Sequence, residues 1–458
     1  MSNSMRVAQT DENAQNATDA SGNRLKNVTA WLVILAVVSF LVLNNVRRSA
    51  TSGGPDLINN LQLKMLAQEA IAFKALQSRT GQGSAAAINQ SNLRLIQAMD
   101  SGARTPEAKL RVAIAVGYLQ GPNGALGRLD TISQTPGASR IGDDVSALRT
   151  IWTDGVQALS PAESARLIHN YEYFGQMALA YGSASGTDAV KSVESSAAQT
   201  LLLLGLIGLV IVALIIASVA ALITAIYLSA KGKIRSEYVP NPSTRGVFLQ
   251  GFAIYLVLFV TLGLTLRLTG LSNLNWEWLA WLIIPVVIFW TVRGNNGTDW
   301  RTSLGWHKGS GWLKEAAAGV GGYLAGCPFM AIGLVITVLL MKVAGQPTAN
   351  PIFTLLRGNV LATYALACVF APVIEETMFR GVLFHHLRGR WSWFASAAAI
   401  AFIFAVIHPQ GWVAVPILWA IAMVLAALRE WRGSIIAPMT AHAFNNFIAI
   451  TLALLLLR

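Results

Sequence analysis

Uncharged apolar runs recur along this chain at lengths that fit membrane crossings. The cleanest, Leu201 to Leu228, holds no charged residue, and about 20 such residues are enough for a helix to cross a bilayer. Apolar runs return at 28–43, 247–268, 278–292, 316–340, 360–387, 394–407, 413–428 and 435–457, those at 247–268 and 360–387 carrying charged residues, so the hydropathy predicts about nine spans. Residues 49–198 differ in kind. Their apolar positions recur at helical spacing among polar ones, as in Leu61, Leu63, Met65 and Leu66, or Leu93, Leu95 and Ile96. That spacing predicts helices with one buried face. Thr105-Pro106-Glu107 and Ser160-Pro161-Ala162-Glu163 mark two helix starts. Each sets a hydroxyl cap before a first-turn proline, and the second completes a capping box. Gly121-Pro122-Asn123-Gly124 and Thr135-Pro136-Gly137 predict turns.

The predicted fold is therefore all-α: a polytopic helical membrane bundle with a small extramembrane domain of four to six helices inserted after the first span. The expected boundaries are a disordered polar tail at 1–27, an anchor at 28–48, the helical domain at 49–198, spans two to four within 199–299, and a C-terminal core at 300–458. Gly322 and Gly326 form a small-xxx-small face for helix packing, and Pro328 predicts a kink beyond it. In the helical domain, His169 and the group Tyr171, Glu172, Tyr173 and Phe174 read as packing residues before they read as a ligand site.

Composition narrows the class. With 54% hydrophobic and only 12% charged residues, the chain lacks the polar surface of a water-soluble protein. The formal net charge of +12 does not point to nucleic acid, because the cations cluster between apolar runs. They lie at 229–245, 293–314, 388–390 and 429–432, segments that share one side if every run crosses once. That side is expected to be cytoplasmic, with 49–198 on the other; only Arg47-Arg48 opposes this. In intact cells, an impermeant thiol reagent should therefore label a cysteine placed at position 130 and not one placed at 300. The two cysteines, Cys327 and Cys368, both fall in predicted spans, which excludes a disulfide framework and a paired-cysteine zinc site.

The candidate chemistry lies in the last third, where ionisable groups interrupt apolar sequence. Such groups cost several kcal/mol each in a bilayer and mark functional positions. Glu375 and Glu376 end an apolar run, and Glu376 shares a helical face with Arg380 four residues on. Glu375 is offset by roughly 100°, which leaves one carboxylate tied to a cation and the other available for chemistry. His408 closes the run beginning Phe404-Ala405-Val406-Ile407. His442 and Asn446 share a face within the final span. Either histidine alone reads equally well as an interhelical hydrogen-bonder; three polar clusters on three nearby helices do not. His385 and His386 adjoin a basic end and are expected at the interface.

The order Glu-Glu-x-x-x-Arg, Phe-x-x-x-His, His-x-x-x-Asn on successive helices resembles the CPBP intramembrane protease family. That family includes the type II CAAX prenyl endopeptidases and bacteriocin-immunity and lysostaphin-resistance proteins. The resemblance covers roughly residues 300–458 and leaves 49–198 unmatched. It implies a glutamic, metal-independent endopeptidase needing no cofactor. Glu375 would be the general base acting on a water with His408. His442 and Asn446 would donate to the oxyanion, with Glu376 and Arg380 in support. Family spacing selects Asn446, although Asn445 stands beside it. The implied substrate is a peptide or protein, membrane-associated or prenylated, met within the lipid bilayer.

Other classes stay open from residues alone. Glu375, His408 and His442 are also a donor set that zinc accepts, although no His-Glu-x-x-His is present. A non-catalytic immunity or scaffold protein would bind a partner through 49–198. A transporter would use the acidic pair as a proton site.

Overall fold

The computed structural model describes residues 24–45, 54–80, 85–184, 187–240, 245–270, 283–293, 300–344, 356 and 359–457. Among them all regular structure is helical. The helices are α1 (Arg24–Asn45), α2 (Gly54–Thr80), α3 (Ala85–Gly102), α4 (Pro106–Gln120), α5 (Pro122–Ser133), α6 (Gly142–Thr153), α7 (Pro161–Tyr171), α8 (Tyr173–Ala180), α9 (Asp188–Ala230), α10 (Arg245–Leu268), α11 (Ile283–Arg293), α12 (Trp300–Leu304), α13 (Trp312–Ala344), α14 (Val360–Arg388), α15 (Trp393–Ile407), α16 (Val415–Arg432) and α17 (Ile436–Leu457). Seven described helices are long and apolar enough to cross a membrane, and α11 and α15 are shorter apolar helices. The expected count of nine is thus approximate. The start of the fourth expected span, 278–282, lies outside the described residues, as do 1–23 of the polar tail and Arg47-Arg48.

Two compact units partition the chain: residues 55–212, and 213–454 together with the N-terminal segment. In the first, α4 is the central element. Leu110, Val112, Ala113, Ile114, Ala115 and Val116 are all buried, so the helix is apolar on every side and is enclosed by its neighbours. Gly117 is required there, because a Cβ would come within 2.7 Å of the Trp152 ring. Both expected caps form. Thr105 accepts from the Ala108 N–H, and Ser160 with Glu163 completes its capping box. The helices number more than the four to six expected, for two local reasons. Pro122-Asn123-Gly124 opens α5 and leaves only Gly121 as a turn. Glu172, at φ 50°, ends α7 and starts α8 in one residue. Tyr171, Tyr173 and Phe174 pack in the core while His169 is exposed.

The second unit holds the membrane helices other than α9, whose residues are divided between the two units at 212/213. The small-residue face of α13 is a packing face, as its spacing predicts. A Cβ on Gly322 would strike Leu428, and one on Gly326 would strike Val424, both on α16. The helix runs unbroken through Pro328. Polar contacts gather the basic segments at one end of this unit. The Arg388 guanidinium pairs with both Glu430 oxygens at 2.9 Å. Arg432 reaches Glu315 at 2.7 Å and Glu237 at 3.3 Å, and His307 bonds the Gly433 carbonyl. Arg429 departs from its reading as a loop cation. It is fully buried, because the carbonyls of Arg380, Ser303 and Gly433 accept its N–H groups and the Tyr238 ring lies 4.7 Å beneath it. His385 and His386 are likewise buried, not interfacial. Nδ1 of His385 meets the Tyr238 hydroxyl at 2.7 Å, and the His386 ring packs edgewise on Trp31.

Candidate active site

The backbone of α14 is irregular around the acidic pair. It is π-helical at Leu366–Phe370 and again at Thr377–Leu383, with Ala371–Glu376 α-helical between. Pro372 accounts for the first irregularity, since proline has no N–H to donate. The Ala371 N–H bonds the Leu366 carbonyl five residues back. The Ala367 carbonyl therefore has neither an α nor a π partner along its own helix. Nδ2 of Asn446, on α17, donates to it at 2.7 Å. At the second irregularity the Phe384 N–H bonds Phe379, and the Arg380 carbonyl accepts from Nε of Arg429 at 3.1 Å. Short π stretches occur frequently at functional sites. Here each turns a carbonyl outward to be met by a side chain from another helix, which locks the Glu375–Glu376 turn between α16 and α17.

Within that frame the two carboxylates differ as their spacing predicts. Glu376 is fully buried, and its Oε1 accepts from Nη1 of Arg380 at 3.0 Å and from Nδ1 of His442 at 2.8 Å. Arg380 also donates to the Ala422 carbonyl at 2.9 Å, and its guanidinium carbon sits 5.0 Å from the centre of the Phe404 ring. Glu375 is partly exposed. Its Oε2 lies 3.8 Å from Nε2 of His408 and 3.8 Å from Nε2 of His442, and it accepts no hydrogen bond from the described residues.

Hydrogen bonding at the far nitrogen fixes each imidazole. His408 donates from Nδ1 to the Phe404 carbonyl at 2.5 Å, and His442 donates from Nδ1 to Glu376. When neutral, each ring then presents an unprotonated Nε2 to Glu375. Three acceptors thus converge on one place that takes a proton donor, such as a water. Phe404 is the packing hub, with its ring against His408, His442, Phe379 and Arg380.

The structure brings together Glu375, Glu376, Arg380, His408 and His442 of the sequence-predicted set, while Asn446 contacts α14 at Ala367. Asn446 is bonded to Ala367 by one of its two amide hydrogens, and its Oδ1 accepts from Asn445. Asn445 in turn accepts from the Tyr323 hydroxyl at 3.1 Å. The neighbouring asparagines are therefore links in one chain, with Asn446 at the end that reaches α14. Asn446→Leu should leave the Ala367 carbonyl without a donor and destabilise the protein by about 1–3 kcal/mol. Thermal unfolding in detergent checks this, and an unchanged transition would contradict it.

Sequence reasoning missed three contributors. The Ala422 carbonyl carries no side-chain signal. Tyr255, on α10, is buried in the same apolar cluster as Ile374, Phe379 and Phe404, yet it reads as one aromatic among many in its span. Asn45 bonds the backbone at His408, and its only signal is a polar residue at the end of an apolar run.

A family model described as type II CAAX prenyl endopeptidase Rce1-like matches residues 357–448. No curated protein and no solved structure matches the chain. The matched stretch begins just before α14 and ends just past Asn446, so it contains both glutamates and both histidines of the site. Residues 357–448 are thus similar to an Rce1-like type II CAAX prenyl endopeptidase domain, in line with the resemblance to the CPBP family.

Proposed function

We propose that this protein is an intramembrane endopeptidase that hydrolyses a peptide bond with a water activated by Glu375. The observation that carries the reading is the placement of Glu375 Oε2 at 3.8 Å from the Nε2 atoms of both His408 and His442. A water in that place donates to Glu375 and to one imidazole, and both of its hydrogens are then engaged. Attack on the scissile carbonyl transfers a proton to Glu375, which returns it to the leaving amine. General-base assistance of this kind contributes about 10²–10⁴-fold.

His442 then acts on the oxyanion. To donate from Nε2 it must take a second ring proton from solvent before the attack, with Nδ1 still bonded to Glu376, and the attacking water then donates to Glu375 and His408. Removing one oxyanion donor typically costs about 2.7–4 kcal/mol. The second amide hydrogen of Asn446 is the other candidate donor. Peptides or proteins in or at the membrane are the substrate class, with a prenyl group as the feature the family name suggests.

A zinc reading uses the same three acceptors, which is the observation in its favour. Two ligands about 2.0–2.1 Å from a tetrahedral ion stand roughly 3.4 Å apart, closer than the 3.8 Å separations here. Among the described residues, no group of three or more His, Cys, Asp or Glu side chains has a geometry that could hold a metal ion. Purified protein should therefore keep its peptidase activity in EDTA and contain no stoichiometric zinc by elemental analysis. Loss on chelation with recovery on adding Zn²⁺ would replace this mechanism with a metal-dependent one.

A further inference from the structure

The end of α15 has an unusual cap. The helix stops at Ile407, and His408 turns to extended backbone at φ −70° and ψ 142°. The last carbonyls of a helix have no partner within it, and the common remedy is a glycine in the left-handed region just beyond. His408 occupies that place instead. Nδ2 of Asn45, the last described residue of α1, donates to the Ile407 carbonyl at 3.1 Å and to the His408 carbonyl at 3.0 Å. One amide nitrogen thus serves two helix-end carbonyls from a residue more than 360 positions away.

Asn45 is itself buried, at 8% exposure. The helix that carries it is anchored further along by buried Ala30 and Ile34 and by the ring contact of Trp31 with His386. His408 is consequently held from two sides. Phe404 grips the ring through Nδ1, and Asn45 grips the backbone, so that Nε2 is aimed at Glu375. The contact comes from outside residues 357–448.

We infer that Asn45 is a positioning residue of the active site, and that α1 completes the catalytic geometry besides anchoring the chain. The inference rests on the endopeptidase reading for its kinetic consequence only. A displacement of about 1 Å in a reacting group can lower a rate about 100-fold.

Asn45→Asp keeps the shape and removes the donor. In the full-length protein it should leave KM for a membrane-anchored test peptide within about twofold and lower kcat by tenfold or more. A second readout does not depend on turnover. Carbethoxylation by diethylpyrocarbonate, followed by mass spectrometry, reports how accessible each imidazole is. His408 should react at least about threefold faster in Asn45→Asp as its backbone loosens, while His307, held by the Gly433 carbonyl, keeps its rate. An unchanged kcat or an unchanged His408 labelling rate would overturn the inference. If the wild-type protein cleaves no peptide, the endopeptidase reading fails and labelling alone decides. If Asn45→Asp does not fold, Asn45→Ala takes its place. Failure of both to fold would assign Asn45 to structure alone.

Discussion

Glu376→Gln is expected to destabilise the protein by about 3–5 kcal/mol, the usual consequence of breaking one side of a buried ion pair. Glu376 and Arg380 are both fully buried, and Glu376 Oε1 is the shared acceptor for Arg380 and His442. The amide keeps the shape and an acceptor oxygen but removes the charge. The guanidinium is then left with the Ala422 carbonyl and the Phe404 ring as its neutral partners. The double variant Glu376→Gln with Arg380→Met should recover part of the lost stability, because neither charge is orphaned. It should not recover activity, because His442 Nδ1 no longer faces a carboxylate. Thermal unfolding in detergent beside peptide cleavage separates these outcomes. A folded Glu376→Gln of wild-type stability would show that the pair contributes little. A double variant no more stable than the single would locate the damage at His442 and not at Arg380.

Glu375→Gln should do the opposite, lowering turnover about 10²–10⁴-fold with no loss of stability. Its Oε2 is a buried anionic oxygen that accepts no hydrogen bond from the described residues. No hydrogen bond among the described residues is lost from that oxygen with the charge, so the melting temperature should match that of the wild type. The peptide should still bind, because the side-chain volume is unchanged. If Glu375→Gln turns over normally while Glu376→Gln is folded and inactive, the base is the other carboxylate.

Much of this site was legible in the residues because helical geometry is strict. The one-residue offset between Glu375 and Glu376, with Arg380 one turn on, predicts a paired and a free carboxylate, and the side chains divide that way. The packing role of Gly322 and Gly326 was legible for the same reason. What could not be read is what the backbone does when proline interrupts it. Pro372 is visible in sequence, but the π turn it induces, and so the need for Asn446 at the Ala367 carbonyl, depends on where α17 passes. The link from Glu376 to His442 also eluded the sequence, because spacing within one helix says nothing of which face a distant helix offers. The buried Arg429 was misread for a similar reason. Its partners are carbonyls of three separate segments, and carbonyls leave no trace in a sequence.

The most direct test of the central claim is cleavage of membrane-anchored peptides in H₂¹⁸O by purified protein in liposomes, comparing wild type with Glu375→Gln. Mass spectrometry of the products reads both the cleavage site and the source of the new carboxyl oxygen. The account predicts ¹⁸O-bearing C-termini with the wild type, also in the presence of EDTA, and none above background with Glu375→Gln. Equal cleavage by the two proteins, or no cleavage by the wild type of any peptide offered, prenylated or not, would contradict it.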